Sequence, residues 1–152
     1  DFITADACLS EAMRLGRNHA MVYAVAANVA NFSGRPEAAL RLTERAMHLC
    51  PVYPPWYAGD MAQAHLQLRQ LSQSLTWSKA AIDRSAAYIH AHVFRVIALH
   101  ELGRQEEASE AAKRLQKLDP AFQAAAWAKG QPFLDQSENE RFLAALLATG
   151  LR

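Results

Sequence analysis

The sequence predicts an all-α protein, a solenoid of stacked helix pairs. Three observations predict it. Alanine and leucine dominate the 152 residues, β-branched runs are absent, and no segment alternates apolar and polar residues for a strand's length. Turn-forming residues fall between the periodic segments: Gly16-Arg17-Asn18, Ser33-Gly34-Arg35-Pro36, the proline-rich stretch 51–55, Leu102-Gly103-Arg104, Asp119-Pro120 and Gly130-Gln131-Pro132. Finally, Gly34-Arg35-Pro36-Glu37-Ala38-Ala39 is echoed by Gly103-Arg104-Gln105-Glu106-Glu107-Ala108, with Pro51 and Pro120 each 17 residues beyond the glycine. The two glycines stand 69 residues apart, two periods of 34 plus one, so a degenerate copy is expected between them.

Nine helices follow in order. The first, 4–15, stops at Gly16. The second, 19–32, carries Ala26, Ala27 and Ala30 and stops at Gly34, whose backbone suits the left-handed position that ends a helix. The third, 36–49, has Pro36 in its first turn, where the missing N–H costs nothing. Glu37 sits beside it at the positive end of the dipole, spaced to pair with Arg41. The fourth, 55–67, begins at the proline-rich stretch, and the fifth, 72–86, follows Leu68 and Leu71. The sixth, 89–102, stops at Gly103. The seventh, 105–118, places Glu106 and Glu107 at its start, Lys113, Arg114 and Lys117 at its end, and spaces Glu110 to pair with Arg114. The last two, 121–129 and 136–148, flank Gly130-Gln131-Pro132. Most are too short to persist alone, so each must lean on a packed neighbour, and short connections set neighbours antiparallel.

Helix pairs of about 34 residues resemble the tetratricopeptide (TPR) repeat, and its motif positions carry over copy by copy. The first copy, 20–53, has Tyr23 at the aromatic position, Ala26, Ala27 and Ala30 at close contacts, Gly34 in the turn, Ala39 and Ala46 on the second helix, and Pro51 at its close. The middle copy, 54–88, has Tyr57 and Ala64, with Trp77 and Ala80 on the second-helix core. It departs from the pattern, with Leu68 where the turn glycine belongs and Gln73 where the small alanine belongs. The last copy, 89–120, has His92, Arg95 in place of a leucine, Gly103, Ala108, Leu115 and Pro120. Residues 1–16 resemble the second helix of an earlier copy through Ala5 and Ala12. The resemblance implies a right-handed superhelix whose concave side is lined by the first helix of each pair.

The tail, 121–152, is similar to the end of TPR regions in bacterial adenylate/guanylate cyclase-type signalling proteins and related winged-helix regulators. Asp119-Pro120-Ala121-Phe122, Trp127, Gln131-Pro132-Phe133-Leu134-Asp135 and Gly150-Leu151 carry the likeness, together with Tyr53-Pro54-Pro55-Trp56-Tyr57 before the middle copy. Trp127, Phe133, Phe142, Leu143 and Leu146 form a stripe expected to cover the exposed face of the last repeat. The start, Asp1-Phe2-Ile3-Thr4, has no initiator Met and no signal-peptide core, and reads as a cut inside a longer multidomain protein. The whole chain is therefore expected to be one domain, comprising an orphan helix, three repeats and a cap.

Composition excludes several functions. A formal charge of +1, from 16 Lys and Arg against 15 Asp and Glu, makes no field for a phosphate backbone, so no nucleic acid is expected. No apolar run is long enough for a bilayer, and two cysteines without a disulfide-rich pattern make a reducing, cytoplasmic setting the expectation. The sequence has no phosphate loop, no Gly-x-Ser-x-Gly and no His-Glu-x-x-His, and it implies no enzyme, metal or cofactor. Cys8 and Cys50 read as small buried or half-buried residues, and Trp56 and Trp77 as core. The histidines read as exposed or singly hydrogen-bonded, with a metal or pH-switch role as the alternative.

Function is therefore expected in protein contact. The inner-face positions expected to be exposed are Met21, Ala24, Asn28, Asn31 and Phe32 in the first copy; Ala58, Ala62, His65 and Leu66 in the second; and His90, Val93, Ile97, His100 and Glu101 in the third. Asn28 and Asn31 can hydrogen-bond a peptide backbone, while Phe32 and Leu66 can take an apolar side chain. The resulting groove comprises Asn28, Asn31, Phe32, His65, Leu66, Ile97, His100 and Glu101. Its expected role is a protein-interaction or scaffolding module of a bacterial signalling protein. A small-ligand sensor built on His65, Arg95, His100 and Glu101, or a homodimer formed through Leu68 and Leu71, are the alternatives.

Overall fold

The structure, a computed structural model, describes residues 2–152, which form nine helices and no strand. Asp1, included in the expected orphan helix, lies outside the described residues. The helices are α1 (Phe2–Leu15), α2 (Ala20–Phe32), α3 (Pro36–Leu49), α4 (Pro55–Gln67), α5 (Leu71–Arg84), α6 (Ile89–Glu101), α7 (Gln105–Leu118), α8 (Ala124–Lys129) and α9 (Gln136–Ala148). α8 begins later than expected. The Asp119 carboxylate accepts the Ala121 N–H and the Asp119 carbonyl accepts that of Phe122, which turns the chain before a helix can start.

The three central pairs share one plan. α2, α4 and α6 each have 13 residues, and α3, α5 and α7 each have 14. Each inner helix closes in the same way: Arg35 N–H donates to Ala30 C=O, Gln70 to His65, and Arg104 to Leu99. The residue before each donor is left-handed: Gly34 at φ 74°, Arg69 at 59° and Gly103 at 75°. The turn residue of the middle copy is therefore Arg69, and the sequence placement at Leu68 is corrected by one position. The same step puts Ser74, not Gln73, in register with Ala39 and Ala108. All three are fully buried and Gln73 is exposed. The Ser74 hydroxyl donates to the Ala62 carbonyl at 2.9 Å, which satisfies it inside the packed layer. On the same helix Trp77 and Ala80 are half-buried, and Ala81 is the buried residue in register with Ala46.

The pairs form two layers. α4 touches both α2 and α6, whereas α3, α5 and α7 make no comparable contact with one another among the described residues. The α2–α4–α6 side is therefore the tighter, inner one. Small residues allow it: Ala24, Ala27, Ala58, Ala62 and Ala91 are completely buried, and any side chain on Gly59 would strike the Tyr88 ring within 3 Å.

The main core centres on α6. Val93, Val96, Ile97 and Leu99 cluster with Leu115 of α7 and with Phe142, Leu146 and Leu151 from the tail. Each fully buried side chain of that size contributes roughly 1.5–3 kcal/mol as an upper estimate, so α9 is integral to the fold. The tail does cover the last repeat, as its stripe implied, but it does so on the inner side against α6, and Phe133 reaches further still. α1 packs on α2 and buries no residue fully, which leaves Cys8 exposed instead of buried; Cys50 is half-buried. Glu110 and Arg114 approach to 3.8 Å, while Glu37 and Arg41 form no ion pair among the described residues.

Candidate functional site

The common register lines up the inner helices in rows. From the amino-terminal rim inward these are Met21, Trp56 and His90; Val25, Asp60 and Phe94; Asn28, Gln63 and Ile97; and Phe32, Gln67 and Glu101. Asn31, Leu66 and His100 form a flanking row. Seven of the eight groove residues expected from sequence fall in these rows; His65 does not, and takes the register position of Ala30 and Leu99.

Their exposure differs from the expectation. Asn31, Leu66 and Ile97 are completely buried, as are Ala24, Ala58, Ala62 and Val93. Asn28, Phe32, His65, His90, His100 and Glu101 are half-buried, and Met21 is exposed. Small residues let the three helices close, and the tail folds over α6.

Polar groups on this side are coupled across helices. Asn28 donates to an Asp60 carboxylate oxygen at 3.0 Å, and Asn31 donates to the Asp60 carbonyl at 3.0 Å. Asp60 is only 4 % exposed, its second oxygen has no partner, and burial pushes its carboxyl up to about 7 despite the Asn28 hydrogen bond. Tyr88 shifts upward through burial and the nearby Asp60 charge. His90 Nδ1 accepts the Trp127 indole N–H at 3.3 Å, and burial lowers its pKa, so the ring is held neutral. His65 Nδ1 pairs with Gln70 at 2.6 Å and His100 Nδ1 with Gln105 at 3.2 Å, leaving each singly bonded.

The tail occupies the far rows. Arg141 of α9 donates to both Glu101 oxygens, at 2.8 and 2.9 Å, and to the Leu66 carbonyl at 3.1 Å; it also pairs with Glu138. Its guanidinium and Glu101 are each 14 % exposed, so this pair is shielded from solvent far more than the surface pairs. Arg69 reaches the same cluster, 3.4 Å from Glu101. Across the groove the Phe133 ring meets Phe32 edge-on at 5.0 Å, and the Leu134 N–H donates to the Phe32 carbonyl at 2.8 Å. The open part of the inner face is thus the α2 side, where Met21 is 48 % and Val25 41 % exposed, flanked by Leu134 at 63 %.

Asp60, Gln63, Gln67 and Arg141 escaped the sequence reading. The one available signal was an acid on an alanine-rich helix where the other copies carry Val25 and Phe94. The proposed sensor cluster does not assemble. Arg95 lies with His92, Lys79 and Asp83 in a separate cavity of about 290 Å³ between α5, α6 and α7, where Ala111 leaves room that Trp77 takes in the preceding copy. Among the described residues no group of three or more His, Cys, Asp or Glu is placed to hold a metal ion, and no helix is long and apolar enough to cross a membrane.

No protein-family model and no curated protein matches the chain. Solved structures do. The crystal structure of MamA superposes with a TM-score of 0.73 over 99 % of this chain and 89 % of MamA, at 15 % identity. YrrB, described as a TPR protein with an unusual peptide-binding site, gives 0.66 over 97 % and 76 %, at 20 % identity. The chain has the TPR fold. A third match is the first TPR domain of Spaghetti (RPAP3) bound to the HSP90 peptide SRMEEVD, with a TM-score of 0.65 over 84 % of this chain and 95 % of that one, at 22 % identity. Within this TPR solenoid, α2, α4 and α6 are the inner helices of the three pairs and α8–α9 the cap.

Proposed function

We propose that the chain is a non-catalytic protein-binding module that holds an extended peptide along the open half of its inner face. The exposed stripe of Met21 and Val25 beside half-buried Asn28, on an otherwise closely packed layer, carries this reading. Apolar side chains one turn apart can take alternate residues of a peptide, and Leu134 offers a second apolar wall. The peptide binding named for YrrB and for RPAP3 on the same fold supports it. A setting in a bacterial cyclase-type signalling protein rests on the sequence resemblance of the tail and of Tyr53-Pro54-Pro55-Trp56-Tyr57.

Selection of a random peptide library on the immobilised protein tests the reading. Enriched peptides are expected to bind with micromolar affinity, because ordering them offsets much of the contact energy. They should be lost on a Met21→Glu, Val25→Glu variant of unchanged helicity. Equal capture by both proteins contradicts the reading.

A further inference from the structure

The connection between α8 and α9, residues 130–135, lies largely on the surface of the inner face. Pro132, Leu134 and Asp135 are exposed, and Phe133 is its one deeply buried side chain. Asp135 caps α9 by accepting the Ser137 N–H, and Gln136 donates to the Phe133 carbonyl, but each flanking helix has further anchors of its own. α8 is held by Trp127 on His90 and Phe94, and by the Ala124 N–H bonded to the Arg152 carbonyl. α9 is held by Phe142 and Leu146 in the core and by the pair of Arg141 with Glu101. These anchors would hold both helices if Phe133 and Leu134 left the face.

Its contacts are those of a bound peptide. One aromatic side chain enters a socket walled by Phe32 and Phe142, whose rings stand edge-on to it at 5.0 and 5.6 Å. The next backbone N–H caps the Phe32 carbonyl. The inner face in the rows beside Phe32 is not fully satisfied. Gln67 lies in the row between Phe32 and Glu101 and its amide nitrogen is buried without a partner. One turn back the same is true of the Gln63 nitrogen, and next to that of an Asp60 oxygen; Gln63 and Asp60 are only 3 % and 4 % exposed. An interface that leaves buried donors unpaired is weaker than one that pairs them.

We propose that the Phe133 socket is a binding site, filled in cis by residues 130–135 and open in trans to an extended partner segment. That segment carries an aromatic side chain followed by a free backbone N–H, and it takes the socket when the connection swings out. The inference rests on the peptide-binding reading above and adds a second subsite with its own selectivity. The internal segment is then a competitor: the apparent dissociation constant of a socket-binding partner is the intrinsic one divided by the fraction of time the segment is undocked.

A synthetic peptide of residues 129–136, blocked at both ends, is the probe. It is titrated into the wild-type protein and into Phe133→Ala, whose helicity and monomeric state are checked first. Leu134→Pro, which removes the N–H but keeps the aromatic ring, is a second opened form in which the side chain replaced is an exposed one. We expect Phe133→Ala to bind the peptide at least about tenfold more tightly than wild type and Leu134→Pro to gain in the same direction. Adding Phe32→Ala, or replacing the peptide's phenylalanine by alanine, should abolish the gain. Equal binding by all three proteins, or none, overturns the proposal. So does a wild-type dimer that Phe133→Ala dissolves, which would make a second copy the occupant. Library peptides that depend on Met21 and Val25 while the socket takes no probe would refute this inference and leave the proposed function standing.

Discussion

Leu134 donates its backbone N–H to the carbonyl of Phe32, so the tail of the chain is hydrogen-bonded to the end of the first inner helix. That bond makes a nominally open superhelix partly closed. It spans the row holding Gln67 and Glu101 and divides the inner face into a filled half over α6 and an open half over α2. Three further consequences can be measured.

The first is the register of the middle repeat. Ser74 is buried where Ala39 and Ala108 are, so Ser74→Leu, Ala39→Leu and Ala108→Leu should each cost roughly 1–3 kcal/mol by overpacking. Gln73→Leu, on the exposed side, should stay within about 0.5 kcal/mol of wild type. Chemical denaturation ranks them, and a costly Gln73→Leu beside a neutral Ser74→Leu would restore the register read from sequence.

Arg69 adopts a left-handed backbone that a side chain disfavours. Arg69→Gly should stabilise the protein by about 1 kcal/mol through the backbone, since Arg69 is itself 59 % exposed and Glu101 keeps its closer pair with Arg141. A loss of stability on denaturation would mean that the cluster of Arg69, Glu101 and Arg141 contributes more than its exposure implies.

Asp60 sets a pH dependence. Its folded-state pKa, about 7, lies above its unfolded value near 3.8, so the folded protein holds the proton more tightly. That stabilisation is complete below pH 4, falls as pH rises toward 7, and is gone above it, a swing of up to about 4 kcal/mol. His90 works the other way, because its lowered pKa withdraws stability as pH falls below about 6.5. The test is therefore a difference: Asp60→Asn keeps the acceptor for Asn28, should match wild type near pH 4, and should exceed it by pH 8. Parallel curves for the two proteins would rule this out.

Much of the architecture was legible because turns and alanine spacing are local signals. Gly34 and Gly103 mark the left-handed turns directly, and Pro36, Pro55 and the alanines place the helices between them. The middle copy misled by one residue because Leu68-Arg69-Gln70 has no glycine, so an arginine had to be found in a conformation its type avoids. For the groove, the register of most positions was legible but their exposure was not. Burial of Asn31, Leu66 and Ile97 depends on how closely Ala62, Gly59 and their neighbours bring three helices together. It depends also on where α9 lies, and nothing local in Arg141 or Phe133 says that they meet Glu101 and Phe32.

Amide hydrogen exchange at Leu134, compared with Phe142, measures whether the connection is a detachable ligand on an integral cap. Leu134 should exchange through local opening, with protection at least about tenfold below that of Phe142, whose release requires the core to open. Phe133→Ala should lower the protection of Leu134 and leave that of Phe142 unchanged. Equal protection at the two amides, lost together in the variant, would show that residues 130–135 unfold only with α9 and that the socket has no independent occupant.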